Sequence, residues 1–458
     1  MGGLPNIKEI WSDQSLLGLS NLRSLKVVQC KSMSKVISFE SLVKLHELNN
    51  LSISNCHSVQ EIFDLDRPST SGDVETLSEL TTFDLRGLGS LRRIWNKNPC
   101  GIVSFHNLKK LEVHDCPNLR FMFFPTMVKS LELLRDLTVK RCKKMEAIIM
   151  EEEGSGLETS KTLAFPMLTN LNLQRLESLM CFSCGKYSRE ARSQDCIKSS
   201  SNALFGRQVA FPSLETLHIN DMDNIEMIWD NQAIADSFPK LKSLFVDKCN
   251  KFVTVVPSYI LGRLLCLESL MVKACASLEV VFQLQPPNPL DGHHVALLLK
   301  KLKLSNLPML KCIWDKEIHR QVKFQCLRSI NVSECKSLTS LFPALVARDL
   351  IQLEELEIYE CGIVELIEKE EGPGPRFDFP KLTSLKLELL IELKCIYTKR
   401  HALHWPALKT LEVLGCNKVE ILVSQPNNEM PLHKNPLFFI EKPPRVKIGF
   451  IQTDGDMA

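Results

Sequence analysis

The stretch LKKLEVHDCPNLRFMF, residues 108–123, recurs along the chain, and no other feature limits the fold as much. Leu108, Leu111 and Val113 are followed by Cys116, Leu119 and Met122. Related phrases with a cysteine begin at Leu22, Leu48, Leu134, Leu241, Leu267, Leu327, Leu353 and Leu408. Five more, beginning at Leu80, Leu168, Leu214, Leu299 and Leu382, carry Leu or Met at the cysteine's place. Successive starts of these fourteen copies lie 26 to 34 residues apart, except for one step of 46 between Leu168 and Leu214.

The spacing has a direct physical meaning. A step of two, as in Leu111 and Val113, puts both apolar side chains on one face of a strand. The later steps of three suit a turn followed by short helical or irregular segments. One strand every 28 residues or so stacks in parallel on the next, and the copies share a continuous core. This is a leucine-rich-repeat unit. The expected fold is an α/β leucine-rich-repeat solenoid, a horseshoe with a parallel sheet of about fourteen short strands on its concave face and short helices and loops on its convex face.

A longer period overlies the unit. Copies with a large apolar residue at the cysteine's place end in Ile94-Trp95, Ile228-Trp229, Ile313-Trp314 and Ile396-Tyr397, each read as convex-side core. The starts at Leu214, Leu299 and Leu382 are 85 and 83 residues apart, so a triplet of about 85 residues repeats. Between cysteine copies, PTMVKSLELL, PSYILGRLLC and PALVARDLIQ read as helices, with proline tolerated in the first turn. Polar segments such as EEEGSGLETSK and EKEEGPGPRFD read as surface loops.

The solenoid is expected over residues 1–423, interrupted at 182–210 by a serine-rich insertion read as a mobile loop. Residues 424–458 lack the repeat and read as an irregular tail. LPNIKEIW at the start matches LPMLKCIW, the back half of a unit, so the chain is expected to be a fragment of a longer protein or a truncated gene product.

Composition excludes several classes. The 458 residues are 44% hydrophobic and 24% charged, with a net charge of +2, which gives no overall pull toward nucleic acid or an anionic membrane. No apolar run reaches the roughly 18 residues of a membrane helix. Seventeen cysteines without a secretory leader read as reduced thiols. Cys30, Cys56, Cys116, Cys142, Cys249, Cys275, Cys335, Cys361 and Cys416 recur at a place that also accepts Leu and Met, so packing rather than chemistry explains them. Cys181, Cys184 and Cys196 lack a fourth ligand at zinc-site spacing and read as loop cysteines. GSGLETSKT misses the glycine places of a phosphate loop, and no HExxH or GxSxG set occurs. No catalytic residue, metal site or cofactor is expected. The sequons at Asn50 and Asn331 fall on strands and read as unused.

Binding is expected on the strand residues that point away from the core. These include charges of both signs, such as Lys26, Asp84, Glu112, Lys301 and Glu412, with no basic stripe for a polyanion. Phe245, Met271 and Tyr359 are large residues on an otherwise polar face and are the candidate anchors, with His218, Lys303, Glu357 and Lys386 beside them.

The phrases LEVHDCPNLRFMFF, LRDLTVKRCKKMEAIIMEEEG and FPSLETLHINDMDNIEMIW resemble the repeat domain of plant coiled-coil, nucleotide-binding, leucine-rich-repeat disease-resistance proteins. The resemblance covers roughly residues 4–423. It implies a cytoplasmic, non-enzymatic recognition domain for pathogen effectors or the host proteins they modify. In a full-length receptor, it also implies contact with the receptor's own nucleotide-binding domain. This sequence departs from the family in having no nucleotide-binding module, phosphate loop or coiled coil, so the resemblance does not extend to switching and signalling by this chain alone. Two alternatives compete with this reading. One is the substrate-recruiting arm of an F-box ubiquitin ligase, although the CxxITDxGL continuation of such repeats is missing. The other is a metal-dependent or thiol enzyme built on the cysteines of the insertion.

Overall fold

The computed structural model describes residues 2–4, 6–8, 10, 19–66, 76–99, 101–152, 162–187, 202–231, 237–283, 295–315, 322–368, 376–397, 402–419, 422–423, 439–440 and 445–449. The chain divides into two compact units, Met1–Leu241 and Lys242–Ala458.

All fourteen leucine phrases form strands of five residues. In the first unit these are Ser24–Val28, Asn50–Ser54, Thr82–Arg86, Lys110–His114, Asp136–Lys140, Asn170–Gln174 and Thr216–Asn220. Each pairs in parallel with the next, with no register slip. The second unit repeats the pattern with Ser243–Asp247, Ser269–Lys273, Lys301–Ser305, Ser329–Ser333, Glu355–Tyr359, Ser384–Glu388 and Thr410–Leu414. Positions two and four of each strand are buried, and positions one, three and five face outward. The alternation follows from the two-residue period of a strand. An eighth strand, Arg445–Gly449, pairs with Thr410–Leu414, within residues that the sequence placed in the irregular tail.

The recurring cysteine sits just past the strand, in a turn. All nine are buried. Each thiol donates to the carbonyl two residues earlier, as Cys116 does to His114 O at 3.4 Å and Cys335 to Ser333 O at 3.3 Å. The sulfur therefore fills space and also satisfies a buried carbonyl at the strand's end. The residue just before this place is left-handed in every copy, with φ between 49° and 65°. Its N–H donates to the last strand carbonyl of the following copy, as Asp115 does to Lys140 O and Glu334 to Tyr359 O. Only two of the fourteen, Gly87 and Gly415, are glycines. Gly362, one residue past Cys361, meets a different limit, because a Cβ there would overlap the Lys336 carbonyl.

The opposite side carries more strand than the sequence suggested. Lys35–Ser38, Glu61–Asp64 and Arg93–Trp95 form a second parallel sheet in the first unit. Thr254–Pro257, Val280–Gln283 and Cys312–Trp314 form its counterpart in the second. All four Ile-aromatic pairs are buried, two of them, Ile94-Trp95 and Ile313-Trp314, on these sheets, so their reading as core holds. Trp95 stacks on its register partner Phe63 with centroids 4.5 Å apart. The expected helices are shorter than read: Pro125–Val128, Ser258–Leu261 and Ala344–Asp349. Pro257 and Pro343 stand at the N-cap and not in the first turn, because their extended backbone closes the preceding strand.

Two readings of the insertion are corrected. Ala203–Phe205 is a buried strand paired with Met227–Trp229, because Leu204 and Phe205 join the aromatic core beside Trp229. Cys181 and Cys184 lie on the strand Cys181–Tyr187, paired with Ala147–Glu152, and are joined by a disulfide instead of being free loop thiols. Cys196 and most of the polar loop segments lie outside the described residues.

Candidate functional site

Strict register turns each outward strand position into a row. The middle row of the first unit runs Lys26, Ser52, Asp84, Glu112, Thr138, Asn172 and His218. In the second unit it runs Phe245, Met271, Lys303, Asn331, Glu357, Lys386 and Glu412. Five of the seven residues singled out from the sequence therefore share one row of the second unit. Tyr359 joins them two residues beyond Glu357, at position five of the same strand. His218 is apart from them, on the last of the first unit's leucine-phrase strands.

Phe245 and Met271 are register partners and are both half-buried, whereas Tyr359 is 40% exposed. Farther along, an open depression of ≈ 330 Å³ is lined by Lys303, Ser305, Asn331, Glu357, Tyr359, Lys386 and Glu388, among others. Asn331 donates to Glu357 Oε2 at 2.8 Å, and Lys386 lies 3.2 Å from Glu357 Oε1. The Glu357 hydrogen bond and charge hold the Lys386 ammonium above its ordinary range. Sequence reasoning passed over Asn331 as an unused sequon. Its place between the buried Ile330 and Val332, the same as that of Lys303 and Glu357, is the signal that would have found it.

The first unit's face is built differently. Glu112 is held by Lys110 at 2.9 Å and by Arg86, which also binds Asp84 at 2.7 Å. Burial works to raise the Glu112 carboxyl, but Lys110 and Arg86 outweigh it and keep the group below its usual range. His114 and His218 are both pushed down by burial, with Arg86 adding to the effect at His114 and Lys140 at His218. Both histidines are therefore neutral at neutral pH.

Three of the recurring thiols, Cys56, Cys116 and Cys416, are poor nucleophiles. Burial pushes Cys56 and Cys416 up, and a hydrogen bond with Cys142 together with burial pushes Cys116 up. Among the described residues no group of three His, Cys, Asp or Glu side chains is placed to hold a metal ion. No described helix is long and apolar enough to cross a membrane, a statement that leaves β-barrels aside.

Parallel in-register strands, one buried leucine ladder and a repeated turn make each unit a leucine-rich-repeat solenoid, a fold used for protein recognition. The family model described as plant disease resistance protein RPS2-like, leucine-rich repeats, matches residues 3–143 and 208–362, and the chain belongs to that family. No curated protein matches it. Among solved structures, one similar chain comes from the crystal structure of the TLR13–ssRNA13 complex. It shows 14% identity and a TM-score of 0.26, with 94% of this chain and 71% of that one covered. Another is the plant peptide hormone receptor RGFR1 in complex with RGF2, at 14% identity and a TM-score of 0.20, covering 88% and 80%.

Proposed function

We propose that this chain is a non-enzymatic recognition domain of a plant immune receptor that works in the cytoplasm. It would bind a pathogen effector, or a host protein altered by one, through the sheet face of its second unit. Family membership supports the defence setting. The observation that carries the choice of surface is the middle row itself. It sets the half-buried pair Phe245 and Met271 in line with exposed or half-exposed charges on a rigid sheet. Large side chains with one face packed and one face open are the usual anchors of protein interfaces.

A photo-crosslinking residue at Met271, with a control at Ser52 in the first unit, tests this. The chain would be expressed in challenged plant tissue. The expected result is a protein captured from position 271 and not from 52, whose affinity for the purified chain falls at least tenfold with Tyr359→Ala. Capture from position 52 alone, or an affinity unmoved by both Tyr359→Ala and Phe245→Ala, would remove this face from consideration.

A further inference from the structure

From Ser269–Lys273 to Ser384–Glu388 the outward charges of the second unit are largely sorted by sign along the sheet, although the strand before them ends in Asp247, the register partner of Lys273. The neighbouring strands Ser269–Lys273 and Lys301–Ser305 present Lys273, Lys301 and Lys303 and no acid. All three lysines are exposed, and among the described residues none of them forms an ion pair. The next strand, Ser329–Ser333, is uncharged on this face, with Ser329, Asn331 and Ser333. The two strands after it, Glu355–Tyr359 and Ser384–Glu388, present Glu355, Glu357 and Glu388 against the single cation Lys386. That lysine is already engaged by Glu357.

From this we infer that the partner is a polypeptide segment with an acidic cluster and a basic cluster held about 14 Å apart. The acidic cluster would seat on the three lysines and the basic one on the three glutamates. The inference rests on the reading of this face as the binding face, and adds to it the chemistry of what binds. The spacing comes from geometry. The centres of the two charged patches are three strand steps apart, at about 4.8 Å each. An extended peptide lying across the strands covers that distance in roughly four residues, at about 3.3 Å each. The open depression straddles the border of sign, with Lys303 at one side and Glu357 and Glu388 at the other. A uniformly charged ligand gains on one patch and is repelled by the other. The face therefore selects against polyanions such as nucleic acid as strongly as against polycations.

The test uses the full chain and end-capped heptapeptides at low salt, with binding measured by titration calorimetry. The first peptide has three glutamates, one serine and three lysines in blocks; the second has the same residues with the signs alternating. The block peptide is expected to bind at least fivefold more tightly. The double variant Lys301→Glu/Lys303→Glu should abolish the preference. Adding Glu355→Lys/Glu357→Lys should restore it, because the peptide then binds turned end for end. These side chains point outward, and circular dichroism checks that each variant folds. Equal binding of the two peptides, or a preference that survives the double variant, overturns the inference. That failure is separate from a failure of the recognition face, which is read from the Tyr359→Ala affinity.

Discussion

The two units share one backbone recipe and differ in how they treat charge. In the first unit, face charges close on one another: Arg86 with Asp84 and Glu112, Lys110 with Glu112, and Arg141 with Asp115. In the second, lysines gather on one pair of strands and glutamates on another, and the lysines stay unpaired among the described residues. The buried positions are interchangeable between units, whereas the outward ones are not. A repeat fold thus leaves stability to the leucine and cysteine places and frees the residues between them for recognition.

The largest expected effects test the shared part of that comparison. Leu217 in the first unit and Leu270 in the second hold the same strand place and are at most 1% exposed. Changing either to alanine should cost about 2–5 kcal/mol by opening a cavity in the ladder. Urea midpoints that drop for one and not for the other would show that the cores are not equivalent. Gly362→Ala should follow at about 1–3 kcal/mol, since the Lys336 carbonyl must move to admit a methyl group. Gly87→Ala should cost about 1 kcal/mol, the steric charge for a left-handed turn that twelve other copies already bear.

Smaller effects test the difference. Glu112→Gln, which breaks the first unit's network, should cost about 0.5–1 kcal/mol and less at high salt. Lys303→Ala in the second unit should stay within about 0.5 kcal/mol, because no ion pair among the described residues is lost. Equal losses would erase the distinction between the faces. The buried thiols also make a pH prediction. For Cys56, Cys116 and Cys416 the folded pKa lies above the unfolded value of about 8.5, so the stability these three supply is complete below that pH and declines as pH rises past it. The urea midpoint should therefore fall between pH 7.5 and 10. A thiol reagent should meanwhile reach the part-exposed Cys266 and Cys326 before the nine turn cysteines.

The strands were legible in the sequence because each carries two buried residues at a spacing of two, fixed by leucine or its like. The turn cysteines were legible as packing because Leu307 and Met222 replace them elsewhere. The left-handed turn was not legible. Eight of its fourteen places hold types with no such preference, such as Gln29, Arg175 and Leu389, because the hydrogen bond to the next rung imposes the conformation from outside the residue. The second sheet was missed because its pieces, such as Glu61–Asp64 and Val280–Gln283, are only four residues long and follow a spacing of three that suggests helix. Arg445–Gly449 escaped for a related reason: Val446 and Ile448 alternate correctly but lack the flanking leucines. At the candidate site, individual large or charged residues could be seen in the sequence. Their alignment into one row, and the separation of signs along it, needed the register.

The aromatic pairs on the back of the sheet have a practical consequence. Trp95, Trp229 and Trp314 each sit in a different triplet, sealed among phenylalanines. Their intrinsic fluorescence supplies three native optical probes spaced along the chain, so fraying of one triplet would redden one emitter while the others stayed blue.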